Sequence, residues 1–69
     1  MAREVVTVEF SSRKKTDFQY EYYDDKYHAY EYNGKYDFGT AKSLEKLLAL
    51  ISMKAEQTGK VREIHLSSQ

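Results

Sequence analysis

The chain has 69 residues, enough for one domain, expected to run over 1–69, that buries only about 60% of the surface its unfolded form exposes. Eleven basic and eleven acidic residues cancel, so the overall basic excess of a typical nucleic-acid or membrane-surface binder is missing. The lack of cysteine excludes a disulfide framework and a thiolate metal centre; no apolar run approaches the roughly 20 residues of a membrane span, and MAREVVTVEF lacks the apolar core of a signal peptide, so a soluble, cytoplasmic protein is expected.

Arg3 to Phe10 alternates polar and apolar residues, with Val6, Val8 and Phe10 on one face and Val5 and Thr7 on the other, which predicts a strand. Ser11 to Thr16 has no apolar member and reads as a hairpin loop. Phe18, Tyr20 and Tyr22 recur at period two in a second strand, Asp17 to Tyr23, and Asp24-Asp25 is a turn signal. Lys26 to Tyr32 resumes the alternation. Asn33-Gly34 suits a two-residue type I′ turn, which predicts a returning strand from Lys35 to Phe38. From Ala41 the period changes: Leu44, Leu47, Leu48, Ile51 and Ala55 share one helical face, with Thr40 or Ser43 as N-cap and Gly59 at the left-handed position past the last turn. Val61 to Leu66 is a last strand, with Ile64 and Leu66 on one face and Val61 on the other. The expected fold is α+β: an antiparallel or mixed sheet of four to five strands, in the order β-β-β-β-α-β, with one amphipathic helix on one face.

Pairing across Asn33-Gly34 would set Ala29 opposite Phe38 and Glu31 opposite Tyr36. One side then carries Tyr27, Ala29, Tyr36 and Phe38, and the other His28, Tyr30, Tyr32 and Asp37. A single helix covers only one side, and Ala29 with Phe38 suits it better. Tyr30 and Tyr32 are left to pack on other side chains or to form an exposed aromatic surface.

All seven tyrosines lie between Tyr20 and Tyr36, and Asp17 to Asp37 holds six acids against two bases, a net charge of minus four. Tyrosine is a good strand former whose ring packs while its hydroxyl reaches water, so some of these rings need no further explanation. Tyrosine is also enriched where proteins bind one another. A protein-binding surface is expected from Tyr30, Tyr32 and His28 with the acids Asp24, Asp25 and Asp37, taking a partner with a basic or DNA-binding surface. The alternative is a single-stranded nucleic-acid module in which the tyrosines stack bases and Arg13, Lys14 and Lys15 meet phosphates. That use sets the rings in a positive groove, and here they sit among carboxylates.

Catalytic signatures are missing: there is no G-x-S-x-G, P-loop, G-x-G-x-x-G or H-E-x-x-H pattern. His28 and His65, with Asp37 or Glu63, would form a proton-transfer or metal site only if the last strand neighbours the third. A chain this short has difficulty enclosing a pocket of a few hundred Å3. No enzyme, cofactor, metal or membrane partner is expected. Leu50, Met53, Val5, Val61 and the Tyr30/Tyr32 side exceed what one helix covers, so a homodimer, joined through sheet faces or strand edges, is a third possibility. In its general profile, a compact chain without Cys or Pro that carries a tyrosine-acid surface, the sequence resembles the small inhibitors and accessory proteins encoded by phages and other mobile elements, anti-CRISPR proteins among them. The likeness covers no motif and implies occlusion of a partner's surface.

Overall fold

A computed structural model describes residues 3–66. Five strands, β1 (Glu4–Phe10), β2 (Lys15–Tyr23), β3 (Lys26–Glu31), β4 (Gly39–Ala41) and β5 (Val61–Leu66), form one antiparallel sheet in the order β4-β3-β2-β1-β5, and α1 (Leu44–Glu56) joins β4 to β5. The α+β class and the element order expected from the sequence are both present.

Turn chemistry fixes the registers. β1 and β2 meet through Ser11, Ser12 and Arg13; Arg13 has φ 76° and its N–H donates to the Phe10 carbonyl, the usual device of a three-residue hairpin. β2 therefore starts at Lys15, inside the segment expected to be loop. The two-residue turn with both central residues at positive φ is Asp24-Asp25 (φ 56° and 63°), and it aligns Tyr23 with Lys26, Glu21 with His28 and Gln19 with Tyr30.

Asn33-Gly34, where that turn was expected, does something else. The Gly34 N–H donates to the Glu31 carbonyl at 2.7 Å, so Tyr32 and Asn33 are the central residues and only Asn33 takes positive φ, 58°. Gly34 is required for closeness: a Cβ there would stand 3.0 Å from the Glu31 oxygen. The expected strand Lys35 to Phe38 is consequently loop, and the chain rejoins the sheet at β4, where Gly39 faces Ala29. Tyr36 lies in that loop, 78% exposed, and not in a strand opposite Glu31.

The helix begins at Leu44, with Ser43 and not Thr40 as its cap; the Ser43 hydroxyl accepts from the Lys46 N–H at 3.2 Å. Leu47, Ile51 and Ala55 bury against Val6, Val8, Phe10, Phe18 and Ala29, while Tyr20, Tyr27, Phe38, Val61 and Ile64 close the margins of this core. Gly59 is not in the left-handed region; a Cβ there would meet the Phe10 ring at 3.3 Å, so its smallness serves the passage of the chain over Phe10. Val61 also turns toward the core, because the register shift at Glu9/Phe10 inserts Arg62 as an extra residue and puts Val61 opposite Phe10.

Candidate binding surface

The helix packs chiefly over β3 and β4 and on one side only, which leaves the opposite side of the sheet without a covering element. The sequence offers Val5, Thr7, Gln19, Glu21, Tyr23, His28 and Tyr30 to that side, a mixture too polar for a second core. What forms there is a hydrogen-bonded aromatic cluster with a surface of its own.

Tyr30 and His28 are its base, only 4% and 5% exposed, so the expectation that they offer free side chains is corrected. Arg3, next to the start of β1, covers Tyr30: its guanidinium carbon stands 3.6 Å from the ring centroid, and Nη1 donates to the Gly34 carbonyl at 2.7 Å and to Gln19 Oε1 at 3.3 Å. The Tyr30 hydroxyl donates to Glu21 Oε1 (3.2 Å) and is 3.5 Å from the Tyr23 hydroxyl. Burial, then these two neighbours, push its pKa far above the ordinary tyrosine value, so it stays neutral.

His28 sits under Tyr23, the two rings stacked at 3.8 Å and 6°. Its Nε2 lies 3.1 Å from the Tyr23 carbonyl and its Nδ1 2.9 Å from Asp37 Oδ2, so both ring nitrogens face hydrogen-bond acceptors. The contact with Asp37, with Arg3 on Gly34 and the Asn33 N–H on Gln19 Oε1 (2.9 Å), ties the 32–38 loop across the open side. No buried side-chain nitrogen or oxygen among the described residues lacks a partner.

Of the residues expected to form the protein-binding surface, His28, Tyr30 and Asp37 are brought together, with Asp24 and Asp25 in the turn directly after Tyr23. Tyr32 is not with them. It is about half exposed and lines a groove of about 380 Å3 with Thr16, Asp17, Phe18, Glu31 and Lys54, at the C-terminal end of the helix. So short a chain therefore does form a recess of that size, although an open one. The exposed ring of the cluster is Tyr23, which sequence reasoning did not single out; nor did it find Arg3 and Glu21. A signal existed in the Asp24-Asp25 turn, since counting outward from it pairs Tyr23, Glu21 and Gln19 with Lys26, His28 and Tyr30.

Arg13, Lys14 and Lys15 lie at the other end of β2, whose nine residues separate them from Asp24-Asp25 by about 27 Å. His28 and His65 do not meet, because β2 and β1 stand between β3 and β5. Each instead finds a separate acid: His65 Nε2 is 3.0 Å from Glu63 Oε1, beside Glu9, whose carboxylate accepts from Arg62 at 2.9 Å. One ligand atom from each of Glu9, Glu63 and His65 lies within 4.8 Å of the others, but Arg62 and His65 already partner the two carboxylates. No helix among the described residues is long and apolar enough to cross a membrane.

Comparison of the chain with protein-family models, with curated proteins and with solved structures finds no match.

Proposed function

We propose that this protein is a small non-enzymatic binding module, an inhibitor or accessory protein of the kind that phages and other mobile elements encode, which works in the cytoplasm by occluding a partner protein. One observation carries the reading: on the side of the sheet that the helix leaves open, Tyr23 rests on a buried His28 that is itself bonded to Asp37. An aromatic ring held in place before contact loses little entropy on binding, which is what makes such rings effective anchors. Near it are the acids Glu21, Asp24 and Asp25, which favour a partner of basic surface, a DNA-binding protein included, and the exposed Tyr36 adjoins Asp37 in the chain.

The stacking of bases is disfavoured by the same geometry. Nucleic-acid modules of this kind combine rings with a positive groove, and here the basic tip and the tyrosine cluster occupy opposite ends of β2. Affinity capture with the tagged full chain from its source cell, with and without nuclease and at stepped salt, tests the proposal. A stoichiometric protein that survives nuclease is expected. Recovery of nucleic acid, with accompanying proteins lost on nuclease treatment, would overturn it.

A further inference from the structure

The two edges of the sheet are finished differently. β4 is three residues long, and an edge that short offers little to pair with. β5 has six residues and its outer side faces solvent. Apart from the Val61 N–H, which donates to the Glu56 carboxylate at 3.3 Å, the backbone groups of β5 that point away from β1 have no partner among the described residues. Proline and lysine are both missing from Val61–Leu66, and the bulge at Arg62 confines the regular edge to Glu63–Leu66. On the helix side Ile64 is half-buried and Leu66 is 46% exposed.

We propose that β5 pairs with β5 of a second copy of this chain, antiparallel about a two-fold axis at Ile64, to give a ten-stranded sheet with both helices on one side. The axis follows from the side chains. A two-fold perpendicular to the sheet brings together residues that point to the same side, so the axis passes through a residue position and not between two. Centred on Glu63 it sets Glu63 against its own copy, and centred on His65 it does the same for His65; both oppose like groups. Centred on Ile64 it sets Ile64 against Ile64 on the helix side and Glu63 against His65 on each side of the axis. That register is the one whose charges complement. The pairing uses the edge opposite β4 and leaves Tyr23 uncovered, so it stands apart from the proposed capture of a foreign partner.

Cysteine scanning tests it directly, because the chain contains none. Opposed Cα atoms in an antiparallel pair lie about 4.5–5.5 Å apart, within reach of a disulfide. In the full chain, Ile64→Cys is expected to oxidise to a dimer. An equimolar mixture of Glu63→Cys and His65→Cys, both exposed positions that spare the core, is expected to give the mixed disulfide in several-fold excess over either self-linked product. Light scattering of the unmodified chain should show the mass doubling from 8.1 kDa as concentration rises from micromolar to millimolar. A mass that stays at 8.1 kDa throughout would overturn the proposal. So would a dimer whose mixed disulfide is no more abundant than the self-linked ones.

Discussion

The two sides of one sheet bury their side chains by different means. On the helix side, Leu47 and Ile51 close over Val6, Val8 and Ala29, and burial of apolar area does the work. On the other side no element lies over Tyr30 and His28, yet both are as well hidden as Phe10 or Phe18. Arg3, Tyr23 and the 32–38 loop cover them, and each of these is held by a directional contact: a cation over a ring, a stack, a hydrogen bond from His28 to Asp37. A core made of directional contacts keeps its outer surface polar and ordered, with one face of the Tyr23 ring on His28 and the rest of it exposed.

The first way to break this comparison is to open a cavity on the helix side. Ile51→Ala removes a fully buried side chain that meets both strands and helix and should cost about 2–5 kcal/mol, enough to unfold much of so small a domain; urea denaturation followed by circular dichroism checks it. On the open side the effects should be smaller. His28→Ala leaves the Asp37 carboxylate without its donor and a gap under Tyr23, for about 1–3 kcal/mol, and amide exchange in the 32–38 loop should rise more than exchange in the helix. Arg3→Ala uncovers the Tyr30 ring and should cost about 0.5–2 kcal/mol in the same denaturation assay.

Alkaline pH sharpens the contrast without mutation. The folded pKa of Tyr30 is raised above its unfolded value of 10.0, by burial first and by its bonds to Tyr23 and Glu21 second. Its contribution to stability is therefore complete below about pH 10 and is lost as pH rises toward the folded value. Stability measured across that range should fall more steeply for the natural chain than for Tyr30→Phe, and equal slopes would show that the hydroxyl is not shielded. The smallest effect is expected at the turn: Asp24→Asn with Asp25→Gly supplies the residues that best accept positive φ and should leave stability unchanged or raise it by up to about 1 kcal/mol.

Period and composition made most of the helix side legible. Val6, Val8 and Phe10 alternate, and Leu47, Ile51 and Ala55 recur at helical spacing, so both partners of the core could be read before any fold was known. The open side was half legible. That Tyr30 and His28 lie away from the helix follows from the alternation through Ala29, but what covers them does not. Arg3 is 27 positions from Tyr30 in sequence, and the loop that crosses the sheet does so because Asn33 alone, and not Asn33 with Gly34, takes positive φ. The choice between those two turns is made by contacts of Gly34 and Gln19 that no local pattern encodes. The inward turn of Val61 was hidden for a similar reason, since a single inserted residue reverses the parity of everything before it.

The central claim is that the open side binds while the helix side folds. The most direct test compares the unmodified chain with the triple variant Asp24→Asn/Asp25→Gly/Tyr36→Ala, taking the melting midpoint and the recovery of the captured partner from the same preparations. A midpoint unchanged or raised, with partner recovery lost, is predicted. Full recovery by the variant, or loss of recovery only in step with a lowered midpoint, would contradict the account.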